Sequence, residues 1–374
     1  MRFGVDATGL GEPKTGTAVY LSEILAAWAR DSDINHEFVV FATPQARLHL
    51  SDLKKDKRFI WVDAPANRHW RGVWQQIVLP WHLKRQHVDV HWGAGFVLPL
   101  LGMCKMVLTV HDLTFQMYPE MHEPAKRIYF PAMIRASVAK AKRVMTISRS
   151  TEIDLHAIVP ASIGKTRVTL LAARVLTQSA GAENLPPPCQ HPYLLFVGTM
   201  EPRKNLARLL EAWQGLSVAI KGEARLVILG ATGWLMNASM SKLEADESVV
   251  LAGHVTDDEL ARWMSNALAF LYPSMYEGFG LPVLEAMAHG IPVLTSNVGA
   301  TKEIAGQAAV MVDPSSTQSI QDGLTQLLSS AQLRSDLRTA GRKRAAEFSW
   351  ERTAQETLSV LCQVGNMSTC LDAK

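Results

Sequence analysis

Short β-branched or apolar runs alternate with longer amphipathic stretches along almost the whole chain, and this rhythm most narrows what it can fold into. Strand-like runs separated by helix-length segments are the signature of βαβ units, whose crossover helices cover both faces of a parallel sheet. In the first half the strand candidates are RFGVDA, HEFVVFA, VDVHWGA, KMVLTVHD, RVMTIS and RVTLLA. Between the first two, YLSEILAAWAR places Leu21, Ile24, Leu25 and Trp28 on one helical face, a core-facing stripe. The rhythm breaks at LTQSAGAENLPPPCQHP, which is polar, rich in glycine and proline, and without periodicity. A second set then begins with HPYLLFVGT, ARLVILG, SVVLAGHV, ALAFLYPS, IPVLTSN and AAVMVDP.

A chain of 374 residues exceeds the size at which one core stops growing. Two α/β domains of the doubly wound, Rossmann-like kind are therefore expected, with a cleft between them. The boundaries read as residues 1–175, a linker at 176–192, residues 193–349, and a helix with tail at 350–374. The closing FSWERTAQETLSVLCQV is an amphipathic helix, and its periodicity leaves open whether it completes the second domain or returns to the first.

Composition removes several function classes. Hydrophobic residues make up 48% and charged residues 20%, an ordinary globular balance. A formal charge of +3 gives no argument for a nucleic acid partner. The basic stretches SDLKKDKR and AKAKRV read as solvated faces. Four cysteines lack C-x-x-C spacing, so neither a zinc site nor a disulfide framework is indicated, consistent with a reducing compartment. MRFGVDATGL runs directly into a strand without a signal peptide, and no apolar run reaches the ~18 residues of a membrane span. A cytoplasmic protein is the expectation.

In parallel sheets of this kind, ligands bind beyond the carboxyl ends of the strands. After HPYLLFVG comes TMEPRKN, so Arg203 and Lys204 stand at such an end. A planar guanidinium beside a compact ammonium suits a diphosphate. After ALAFLYPS comes YEGFGLPVLEAMAHG. Gly278 and Gly280 let backbone approach a ligand, and Pro282 suits the start of a helix whose N-terminus favours an anion. Glu285 lies one turn into that helix, where its carboxylate can accept two hydrogen bonds from a vicinal diol such as ribose. Glu277 precedes the turn and stands nearer the other end of the ligand. In the first half, His111 and Asp112 directly follow KMVLTV at a strand end.

These stretches closely resemble family-four retaining glycosyltransferases of the GT-B fold. The resemblance rests on the E-x7-E pattern within SMYEGFGLPVLEAMAHGIPVLTSNVGA. LTVHDLTFQMYPE, RVMTISRSTEIDL, LLFVGTMEPRKNLARLLEAW, LAGHVTDDELARWMSNALAFLYPS and FSWERTA match as well. It implies that Arg203 and Lys204 clamp the diphosphate, and that amides of Phe279, Gly280 and Leu281 meet phosphate and sugar. It further implies that Glu285 binds ribose, that Glu277 and His111 lie by the transferred sugar, and that Gly253, His254 and Val255 wall the base. Asp112 orients its loop. Gly16, in KTGTAVY, resembles the family's phosphate-binding glycine loop, though a single glycine replaces the usual pair. A second departure is AARV after RVTLLA, where the family commonly has an N-G-V/I-D turn.

The resemblance implies transfer of a sugar from a nucleoside diphosphate to an acceptor hydroxyl with retained configuration. It favours GDP-mannose or GDP-rhamnose over UDP-sugars and a saccharide or lipid-linked acceptor of polysaccharide synthesis. No D-x-D motif stands in the cleft segments, so no metal and no cofactor are expected. The alternatives are a UDP-sugar-dependent transferase and a non-catalytic nucleotide-sugar-binding protein. A lipid-linked acceptor would bring peripheral membrane contact. The basic, partly apolar stretch 125–144 offers such a contact or, equally, a domain helix with a solvated side. Oligomeric state is not legible.

Overall fold

The computed structural model describes residues 1–10, 15–121, 124–174, 188–231 and 246–367. The chain divides into two compact units, one made of residues 1–171 and 349–374, the other of residues 172–348. Most of the expected linker at 176–192 lies outside the described residues.

The first unit is built on a seven-stranded parallel sheet. Its strands are β1 (Arg2–Asp6), β2 (Glu37–Ala42), β3 (Phe59–Asp63), β4 (Val90–Gly93), β5 (Lys105–Val110), β6 (Arg143–Thr146) and β7 (Thr166–Val168). They run in the order β3-β2-β1-β4-β5-β6-β7, reversing direction of growth between β1 and β4. β3 was not among the strand candidates. FIWVD is a run of five after the charged KKDKR, and it forms an edge strand of which only part is buried. Central β2, by contrast, is buried from Phe38 to Ala42, as a sheet covered on both faces requires. The basic stretch before β3 is more than a solvated face. Arg58 donates to the carbonyls of Asp31 (2.6 Å), Ile34 (3.1 Å) and Ala29 (2.8 Å), closing the end of the first helix.

The second unit carries a six-stranded parallel sheet, β8 (Tyr193–Val197), β9 (Arg225–Leu229), β10 (Val249–Gly253), β11 (Ala269–Tyr272), β12 (Val293–Ser296) and β13 (Val310–Val312). The order β10-β9-β8-β11-β12-β13 reverses between β8 and β11. Leu194, Phe196, Leu226, Ile228 and Leu271 point into one apolar core with Leu209 and Trp213 of the helix Leu206–Gln214.

The closing helix, Trp350–Asn366, belongs to the first unit. Its buried stripe of Trp350, Ala354, Thr357, Leu361 and Val364 packs beside the helix Gly16–Arg30. Trp28 Nε1 donates to the Ala354 carbonyl at 2.9 Å, and Lys105 Nζ donates to the terminal carbonyls of Gly365 (2.8 Å) and Met367 (2.5 Å). A lysine there satisfies carbonyls that the helix itself leaves open and complements its negative end.

Candidate active site

A parallel sheet leaves a crevice where its strand order reverses, because the connections on either side leave toward opposite faces. In the second unit that point lies between β8 and β11. The loop after β8 carries Arg203 and Lys204, and the loop after β11 carries Glu277. Residues 73 positions apart thus meet by sheet topology: Lys204 Nζ donates to Glu277 Oε1 at 2.6 Å. Arg203 Nη1 lies 3.0 Å from the other carboxylate oxygen. Each oxygen of Glu277 therefore faces one cation.

The two loops are also joined through backbone. Asn205 adopts a left-handed φ of 62°, and its Nδ2 donates to the carbonyls of Pro273 (2.9 Å) and Pro314 (2.7 Å). Asparagine tolerates that conformation better than most residues. Met275 N donates to the Arg203 carbonyl at 2.7 Å. Arg203 Nε reaches Glu201 at 2.9 Å. Lys204 also touches the Tyr272 hydroxyl and lies 4.6 Å from the centre of that ring.

Burial alone would push the Glu277 carboxyl up, but Lys204 and Arg203 together outweigh it and hold it at about 2. Burial pulls Lys204 down, opposed by Glu277 and aided by Arg203. These two tendencies pull the pair in opposite directions. The geometry decides for the ion pair, since Glu277 sits between two cations and its carboxylate stays ionised. Burial pushes the Tyr272 hydroxyl well above its ordinary value, so it stays protonated. The sequence places Glu277 toward the sugar end of a ligand, and in this structure its carboxylate also positions both members of the cation pair.

Gly280 caps the helix Leu281–Ala288 with φ 101°, a left-handed conformation that favours glycine. A Cβ there would also stand 3.2 Å from Thr301 Cγ2. Pro282 is the second helical residue, inside the first turn, where its missing N–H breaks no intrahelical bond. Phe279 turns its ring into the core, 6.2 Å from Phe348, leaving its backbone at the turn. Gly278 lies in the same turn. At the end of β9, a Cβ on Gly230 would collide with the Gly198 carbonyl at 2.1 Å, so the neighbouring strand ends close tightly. Gly253 ends β10 at a register shift with φ 69°, and its carbonyl accepts from Gly230 N at 2.7 Å. His254 beyond it is exposed and Val255 half-buried. All these positions stand at carboxyl ends of one sheet.

Glu285 is 7% exposed and ion-paired. Arg174 Nε donates to its Oε1 at 3.2 Å, while Arg174 Nη1 reaches Asp257 at 3.5 Å. Arg174 is the third residue of the AARV departure, and sequence reasoning assigned it no role. Its partner lies 111 positions away, so no local pattern could reveal the contact. Burial pushes the Glu285 carboxyl up and Asp257 adds to this, while Arg174 pulls it back.

His111 and Gly16 belong to the first unit. Gly16 opens its helix behind Thr15, whose hydroxyl accepts from Ala18 N at 3.3 Å. Tyr20 of that helix meets the His111 ring edge-on at 5.0 Å, and Phe96 packs at 5.6 Å. His111 Nε2 lies 2.7 Å from the Ala94 carbonyl, and a carbonyl can only accept, so Nε2 carries the proton. Burial pulls the ring below its ordinary value despite the Ala94 contact and Asp112. His111 is therefore a neutral imidazole whose Nδ1 is an acceptor. Asp112 Oδ1 accepts from Thr114 N (3.0 Å) and Thr114 Oγ1 (2.6 Å), which shapes the loop.

Two helix-covered parallel sheets, one bearing the Arg203–Lys204 pair at its switch point, define a protein of the doubly wound α/β class. The family described as Glycosyl transferases group 1 matches residues 182–344. O-antigen chain mannosyltransferase B of Escherichia coli is 31% identical over 288 residues, covering 75% of each chain. O-antigen chain mannosyltransferase RfbU of Salmonella typhimurium is 28% identical over 340 residues, covering 86% of this chain and 89% of the relative. Among solved structures, sucrose-phosphate synthase from Thermosynechococcus elongatus superposes with a TM-score of 0.74 at 20% identity, covering 97% of this chain and 99% of the other. The chain belongs to the glycosyl transferases group 1 family, has the GT-B fold, and is a glycosyltransferase. The non-catalytic reading of the sequence gives way to this.

Proposed function

We propose that the enzyme moves mannose, or a deoxyhexose such as rhamnose, from a GDP-linked donor to a hydroxyl of a saccharide or lipid-linked saccharide, retaining anomeric configuration. The observation that carries the sugar is the 31% identity with an O-antigen mannosyltransferase across three-quarters of both chains. The product would be a cell-surface polysaccharide and the site of action cytoplasmic. No helix among the described residues is long and apolar enough to cross a membrane.

In the proposed reaction the bond between the anomeric carbon and the diphosphate oxygen breaks. The acceptor oxygen bonds to that carbon on the same face, and its proton passes to the departing phosphate oxygen. Arg203 and Lys204 neutralise the charge that builds on the leaving diphosphate, from a position already fixed by Glu277. The start of the helix Leu281–Ala288 adds its positive end. Glu285 accepts from the ribose hydroxyls, and Gly253, His254 and Val255 receive the base. The neutral His111 of the first unit offers its Nδ1 as an acceptor suited to a sugar hydroxyl. No step calls for a metal or cofactor.

A thermal-shift and calorimetric screen of GDP-, UDP-, ADP- and TDP-sugars tests the donor. A GDP-sugar at one hundred times its Kd should stabilise the fold by about 2.7 kcal/mol. A preference for UDP-sugars would remove the GDP assignment, and silence toward all four would remove the donor site.

Arg174 offers a sharper test, because Glu285 must be ionised to accept from both ribose hydroxyls. Its folded pKa is raised, so the carboxylate is lost, and donor affinity with it, as pH falls through that raised value. Arg174→Ala removes the group that pulls this pKa back down. The acid limb of donor Kd against pH should therefore move to higher pH in the variant. An unmoved limb would separate Arg174 from donor recognition.

A further inference from the structure

The helix Arg68–Arg85, between β3 and β4, is apolar on two opposite sides. Its inner side buries Leu79 and Leu83 in the core of the first unit. Its outer side carries Trp70 (65% exposed), Val73 (46%), Ile77 (62%) and Trp81 (52%). These stand at i, i+3, i+7 and i+11, one continuous stripe about 16 Å long at 1.5 Å per residue. An ordinary surface helix turns polar residues outward, and large apolar side chains clustered rather than scattered mark a contact surface.

A neighbouring loop with two exposed apolar side chains is bound to the same helix. Gln76 Nε2 donates to the Leu98 carbonyl at 3.0 Å, and Leu100 N donates to Gln76 Oε1 at 3.0 Å. Just beyond, Gly102 backs onto Leu83 and Met106, while Leu101 (70%) and Met103 (91%) are exposed.

Charge identifies the occupant. RHWRGVWQQIVLPWHLKR contains four arginines and lysines and no acid. Lys84 and Arg85 are exposed one turn past Trp81, and Arg85 lies 5.0 Å from the Trp81 ring centre. Two tryptophans pairing an apolar body with an N–H, flanked by cations on long stems, suit the boundary between lipid headgroups and acyl chains. A second copy of the chain fits poorly, since a two-fold interface would bring these cations against each other.

We propose that this face docks the enzyme on an anionic lipid bilayer. It is a different surface from the stretch 125–144 considered from sequence. There Ile134, Ser137 and Val138 are buried, and among the described residues the exposed neighbours Ile128 and Tyr129 are not continued into a stripe. The inference is independent of donor identity, because vesicle binding is read without turnover.

Flotation of the full chain with phosphatidylcholine vesicles, and with vesicles also containing phosphatidylglycerol, tests it. Binding should require phosphatidylglycerol, weaken in high salt, and shift tryptophan emission to the blue. The triple variant Trp70→Ser, Ile77→Ser, Trp81→Ser and the double variant Lys84→Glu, Arg85→Glu should each bind at least about tenfold more weakly. Both should keep the melting temperature and transfer to a water-soluble acceptor. Failure of the wild type to float, variants that float equally well, or a dimer in sedimentation that the triple variant dissociates would each overturn the assignment.

Discussion

Replacing Lys204 with alanine should lower kcat by about a hundred- to a thousandfold, the usual loss when one preorganised charge is removed from a developing oxyanion. The lysine is 8% exposed and its ammonium is held by Glu277 and Tyr272. Solvent therefore does little to screen it from a leaving diphosphate, and no reorganisation is needed when charge appears. Turnover at saturating donor is the measurement, and a loss of less than tenfold would detach Lys204 from the chemistry.

The same variant should still fold, because Arg203 remains 3.0 Å from Glu277. A stability loss of about 1–3 kcal/mol is expected from a buried carboxylate deprived of one partner. The pH dependence follows from the depressed carboxyl. Glu277 contributes stability that is present above its ordinary value of 4.5 and lost as pH falls toward about 2. With Lys204 gone, the folded-state pKa rises and acid unfolding should begin at higher pH.

Glu285→Ala should weaken donor binding by about a hundredfold or more, since each hydrogen bond to a charged acceptor is worth about 1.5–3 kcal/mol. Arg174 would keep Asp257 as a partner, so the change should show in binding rather than in folding. Glu285→Gln keeps the shape and one acceptor oxygen and should fall between. If the loss appears as raised Kd with kcat preserved at saturation, Glu285 acts by uniform binding of the nucleotide. An unchanged Kd in Glu285→Ala would place the ribose elsewhere.

Most of the strands were readable because a parallel sheet covered on both faces imposes long apolar runs, as at Phe38–Ala42. β3 was not, since an edge strand needs only Phe59 and Val62 buried. The site was legible as parts. Arg203–Lys204, the glycine turn and Glu285 each follow a strand or open a helix, and such positions are set by local pattern. Arg174 was missed for the opposite reason: it follows β7 in an irregular segment, and only its fold neighbours give it meaning.

The sequence by itself therefore determined the β/α alternation, the break between its two sets of strands, and which residues stand at strand ends. Hydrophobic periodicity and turn chemistry act over a few residues, and those features are written at that range. The tertiary structure decided which strand ends are neighbours. Putting β8 beside β11 turns Glu277 into the anchor of Arg203 and Lys204. It also set Arg174 against Glu285 and returned the last helix to the first unit. An apolar stripe or a lone charge specifies that it needs a partner, but the partner's identity depends on strand order, which no local pattern contains.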